Sequence, residues 1–103
     1  MLELEEKYLN EIKQILSEHM PDCEVRVFGS RIEGKAQKFS DLDLALAATE
    51  KIARQRIERL KDAFAASNLP MTVDVIDYNS ISKEFQQIID KQYEVIQQKQ
   101  GKS

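Results

Sequence analysis

Leu4, Tyr8, Ile12, Ile15 and Leu16 recur every three or four positions with Leu9 beside them, so residues 2–19 predict an amphipathic helix. Pro21 and Asp22 stop it. The period then shortens: Val25, Val27 and Phe28 read as a strand over residues 24–28, followed by a Gly29-Ser30 turn and a helical turn or two over residues 30–34. The run SDLDLAL predicts a second strand over residues 41–48. Its Leu42, Leu44 and Leu46 face one way, while Asp41 and Asp43 face the other. Thr49 is positioned to cap a third helix with the stripe Ala53, Ile57, Leu60 and Phe64, which Ser67, Asn68 and Pro70 end. In a third strand, residues 71–76, Val73 and Val75 oppose Asp74 and Ile76. Asp77, Tyr78 and Asn79 turn the chain into a last helix capped by Ser80 or Ser82. Its apolar spacing runs through Phe85, Ile89, Tyr93 and Ile96 to a polar tail. The expected architecture is α+β, in the order α-β-α-β-α-β-α, with one domain over residues 1–98 and a frayed tail over residues 99–103.

Charge narrows the functional classes. Eighteen acidic against fifteen basic residues leave a net charge of -3, which argues against nonspecific nucleic-acid binding. No apolar run is long enough to span a membrane, and the acidic start MLELEEKY is unlike a signal peptide, so a cytoplasmic location is expected. Cys23 is the lone cysteine and His19 the lone histidine; both read as structural, the histidine at the negative end of a helix dipole. Arg54, Arg56 and Arg59 read as a solvated helix face.

The chemistry lies in residues 25–46 and 74. Two carboxylates about 6.6 Å apart along one strand face repel each other, and a divalent cation is the usual compensation. If the second and third strands are neighbours, Asp41, Asp43 and Asp74 converge on one face. Hard oxygen ligands suit Mg²⁺, and two such ions serve an in-line phosphoryl or nucleotidyl displacement. Ala45 and Ala47 on that face would leave room for a cleft. Gly29 lets the backbone approach a ligand, and the following amides with the Ser30 hydroxyl suit phosphate oxygens. Arg31, Lys35 and Lys38 are candidates for balancing a triphosphate. Gly29 to Lys35 also fits GxxxxGK, but Ala36 lacks the hydroxyl a P-loop needs, and that motif does not account for the three acids.

Gly29-Ser30, ten residues, then Asp41-Leu42-Asp43 resembles the GS-x10-DxD signature of the minimal nucleotidyltransferase (MNT) family, within the DNA-polymerase-β-like nucleotidyltransferase superfamily. Asp74 in VDVID falls where that family has its third acid, and the resemblance covers nearly the whole chain. It implies a small nucleotidyltransferase fold with a mixed three-stranded sheet in the order 1-2-3. It further implies that Asp41, Asp43 and Asp74 are catalytic and bind two Mg²⁺ ions, with Asp74 able to accept the proton of the attacking hydroxyl. Gly29, Ser30 and Arg31 would meet the nucleotide phosphates.

Proteins of this kind are antitoxins encoded beside HEPN-domain toxins, and the resemblance implies transfer of AMP from ATP to a tyrosine hydroxyl of that toxin. With no following domain to hold the acceptor, a partner chain or a second copy would complete the site. The alternative is an antitoxin that neutralises its partner by contact alone. Transfer to a small molecule or an RNA end lacks an acceptor-binding domain and a basic surface.

Overall fold

The computed structural model describes residues 2, 4–35 and 40–100. Helix α1 spans Glu6–His19, strand β1 Glu24–Phe28, the one-turn helix α2 Ser30–Glu33, and strand β2 Leu42–Ala47. Then come helix α3 (Arg54–Ala65), strand β3 (Val73–Asp77), a 3-10 turn (Tyr78–Ser80), helix α4 (Lys83–Lys91) and strand β4 (Glu94–Gln97). The strands form one mixed sheet in the order β3-β2-β1-β4. β1 runs antiparallel to both β2 and β4, and β2 runs parallel to β3.

The sheet therefore has four strands, not the three of the expected 1-2-3 order, and residues assigned to the last helix supply the fourth. Ile89, Tyr93 and Ile96 do keep helical spacing, but so short an apolar run fits a strand equally well. Gln92 breaks the helix with extended angles (φ -158°, ψ 108°), and the β-branched pair Val95-Ile96 suits a pleated ladder. β1 would otherwise be an open edge. Ile96 is buried, and Gln97 Nε2 donates to the carbonyls of Met20 (2.8 Å) and Cys23 (3.0 Å), fixing the new strand to the turn before β1. The main chain stays engaged beyond β4, where Gln100 N donates to Pro21 O at 3.0 Å.

Alternation along the strands sends Val25, Val27, Leu42, Leu44, Leu46 and Val75 into a core with Ile12 and Leu16 of α1 and Leu60 and Phe64 of α3. Each fully buried Leu or Ile there contributes roughly 1.5–3 kcal/mol by leaving water. Helix α3 begins five residues after Thr49, with Ala53 as its uncapped start, because Ile52 is held in the core. The holder is Asp77. Its buried carboxylate accepts from Ile52 N (2.9 Å), Asn79 N (3.0 Å) and Ser80 Oγ (3.0 Å). Asp77→Ala strands these donors and should destabilise the fold by about 2–4 kcal/mol, read as a lower urea midpoint at unchanged m.

Of the three arginines on α3, Arg56 is paired rather than merely solvated. Its Nη2 lies 2.6 Å from Asp22 Oδ1 and ties α3 to the turn after α1, and this hydrogen bond lowers the Asp22 pKa. Cys23 is buried, and burial raises its thiol pKa to about 11, which fits the inert reading.

The opposite face of the sheet carries Arg26, Phe28, Asp43, Ala45, Asp74 and Ile76, as the registers of β1, β2 and β3 require. Part of it is roofed. Ser82 Oγ accepts from Phe85 N (3.1 Å) to start α4, and the Phe85 ring meets Phe28 edge-on at 5.9 Å. Arg26 lies against the rings of Tyr78 and Tyr93, at 4.8 and 5.0 Å. The room expected above Ala45 is consequently filled: that residue is fully buried, and the 3-10 turn packs on β2. Toward the end of the face where β1 finishes and β2 and β3 begin, Asp74 is exposed and Asp43 only partly buried.

Candidate active site

That end is built around Gly29. Its φ of +87° with ψ of -157° belongs to a region open essentially to glycine, and it turns the chain from β1 into α2. A Cβ here would overlap Asp43 Oδ2 and stand 3.3 Å from Asp43 Cγ, so the carboxylate lies directly against the backbone of the turn. Gly29 O accepts from Ile32 N (3.0 Å) and Glu33 N (3.1 Å), and Gly34, at φ +77°, ends the helix after one turn. So short a helix ending at Gly34, with Lys35 exposed and 3.9 Å from Glu33, is not the long helix that a P-loop feeds.

Just before β2, Ser40 is held at the same place by Arg31. This arginine is 6% exposed, and its Nε and Nη2 donate to the Ser40 carbonyl at 3.1 and 2.9 Å. The clamp fixes the residue before Asp41 beside the start of α2. Nothing in the sequence signals that role, since an arginine after a GS turn reads first as a phosphate ligand. Lys38 lies outside the described residues.

Asp43 and Asp74 are register partners across the parallel β2–β3 pair and share a face. Asp41 immediately precedes β2 and is exposed, as is Asp74, whereas Asp43 is half-buried between the turn and the sheet. Burial, then the charge of Asp74, then that of Asp41 raise the Asp43 pKa to about 6. The three acids and the GS turn thus belong to one electrostatic neighbourhood. Among the described residues no three carboxylate, imidazole or thiol groups are close enough to share one ion. A cation held here would take one or two of these carboxylates, a donor set that would suit Mg²⁺, an ion that completes its shell with waters and phosphates.

The comparisons with known proteins follow the same lines. Residues 10–102 match the family model described as polymerase beta, nucleotidyltransferase. The chain is 44% identical over 99 residues to the "probable protein adenylyltransferase MntA" of Haemophilus influenzae, covering 96% of this chain and 87% of that one. A solved toxin–antitoxin complex with AMP-PNP superposes with a TM-score of 0.72 at 27% identity, covering 85% of this chain and 71% of that one. The fold is also that of the MNT antitoxin solved with a tri-AMPylated HEPN toxin from Shewanella oneidensis, at TM-score 0.68 and 23% identity, covering 90% and 71% of the two chains. With the matched family model spanning both the GS turn and all three acids, the chain belongs to the polymerase beta nucleotidyltransferase family.

Proposed function

We propose that this chain is an antitoxin that transfers AMP from ATP to a tyrosine hydroxyl of a HEPN-type toxin, with two Mg²⁺ ions, in the cytoplasm. The observation that carries this reading is the seating of Asp43 between the Gly29-Ser30 turn and Asp74. A phosphate group and a carboxylate-bound cation would then meet at one point. Sequence and fold relatives named as an adenylyltransferase and as toxin–antitoxin complexes support the acceptor class. The buried thiol of Cys23 suits a reducing compartment.

In this reading the amides and hydroxyl at Ser30 bind the outer phosphates of ATP, and the site end of β2 and β3 receives the acceptor. The tyrosine oxygen attacks the α-phosphorus as the bond to pyrophosphate breaks, giving a tyrosyl-AMP phosphodiester and free pyrophosphate. The hydroxyl proton passes to an Asp74 carboxylate oxygen. Asp41 and Asp43 would hold the metal ions, which when bound neutralise charge developing on the attacking and leaving oxygens. Arg31 keeps Asp41 in place through the Ser40 carbonyl and is within the turn that meets the phosphates.

The test is to incubate the purified chain with its HEPN partner, Mg²⁺ and ATP labelled at the α-phosphate, and to map the product by mass spectrometry. Label on a partner tyrosine, lost on adding a chelator, is the expected result. An unlabelled partner after incubation with ATP-binding, folded protein would refute the transfer.

A further inference from the structure

β3 is the outermost strand of the sheet, and nothing among the described residues pairs with its outer side. Leu42 N donates to Thr72 O (2.9 Å), so the main-chain groups of residues 72, 74 and 76 face β2. By alternation those of Val73 and Val75 point outward. Beside them runs a groove of about 630 Å³ between α3 and β3. Its lining includes Lys61, Phe64 and Ala65 from α3, and Met71, Asp74 and Val75 from the strand side.

Every residue from 71 to 76 contributes to the lining. Neighbouring residues of a strand point to opposite faces, so a cavity lined by all of them lies along the strand's edge and not over one face. Such a groove, with outward amides and carbonyls on one wall and apolar side chains on the floor, has the shape and hydrogen-bonding of a missing strand. Asp74 belongs to it and to the acid cluster at once.

We propose that the groove is the acceptor subsite: an extended segment of the acceptor protein adds to the sheet alongside β3 and presents its tyrosine on the face of Asp74. This rests on the AMP-transfer reading above and specifies how the acceptor is held. A residue opposite Asp74 on an added strand projects from the same face, with its Cβ about 4.5–5.5 Å from that of Asp74. The residues before and after it project to the other face, toward Phe64 and Met71. The accepted tyrosine is therefore flanked on both sides by apolar residues, and main-chain pairing supplies most of the affinity.

The experiment compares the wild-type chain with Ala65→Arg, an exposed position where a long side chain fills the groove without entering the core. With the intact HEPN partner as acceptor, KM for the partner should rise roughly tenfold or more, the equivalent of about 1.4 kcal/mol, while kcat and ATP affinity hold. Independently, hydrogen exchange at the Val73 and Val75 amides should be fast in the free wild-type chain and slow in the complex. An active wild type whose KM is unmoved by Ala65→Arg, or whose Val73 and Val75 amides gain no protection, overturns the proposal. A self-dimer that Ala65→Arg dissociates, with KM unmoved, assigns the edge to a second copy and overturns it too. A wild type that transfers no AMP sinks the activity itself, a result distinct from all of these.

Discussion

Asp43→Asn should lower AMP transfer by roughly a thousandfold or more if Asp43 holds a metal ion as proposed, while making the metal-free protein more stable above pH 6. The second effect follows from the raised pKa. Folding moves the Asp43 carboxyl from 3.8 to about 6, because burial and the charges of Asp74 and Asp41 disfavour its ionised form. The stability this group contributes is fully present below pH 3.8 and is lost as pH rises through about 6. A shift near two units corresponds to about 3 kcal/mol; solvent screening of a half-exposed group reduces that to roughly 1–2 kcal/mol.

Urea denaturation in chelator should therefore show the Asn variant more stable than wild type at pH 8 and equal to it near pH 4. A wild-type advantage at pH 8 without metal would mean that Asp43 is not electrostatically strained. Adding Mg²⁺ and ATP should stabilise the wild type alone. The same variant separates enzyme from binding module. Toxin neutralisation that survives Asp43→Asn at full strength would favour antitoxin action by contact alone.

Much of this site was legible because its chemistry is written in local periods. Asp43 falls on the face opposite Leu42 and Leu44 by alternation alone, and the glycine before a serine marks the sharp turn that the +87° angle requires. The parallel β2–β3 neighbourhood that brings Asp74 opposite Asp43 agrees with the sheet order expected for those strands. What escaped was long-range. β4 arises because the open side of β1 needs a partner, and no periodicity within residues 94–97 states that need. Thr49 looked like a helix cap, yet the helix starts at Arg54 because Asp77, twenty-five residues away from Ile52, takes that residue's amide. Arg31 likewise works on Ser40, nine residues further on, a pairing that a linear reading does not contain.

Gly29→Ala tests the contact that joins the two halves of the site, and its effects should exceed those of an ordinary turn substitution. Two penalties combine. Alanine at φ +87° and ψ -157° occupies backbone space that side-chain-bearing residues avoid, at about 1–3 kcal/mol. Its methyl would also overlap Asp43 Oδ2, and the neighbour that must yield is the carboxylate itself. Swinging that group away by about 1 Å is enough to lower transfer by roughly a hundredfold. The displaced carboxylate moves toward water, so the stability difference between pH 4 and pH 8 should shrink as well.

The two penalties can be resolved. In an Asp43→Ala background the collision is gone while the backbone strain persists, so Gly29→Ala should then destabilise by less than it does in wild type. A double-mutant cycle in urea should give a coupling of roughly 1 kcal/mol or more. Additive effects would mean that the turn and the acid do not touch, and the proposed phosphate-binding and metal-binding halves would no longer form a single site.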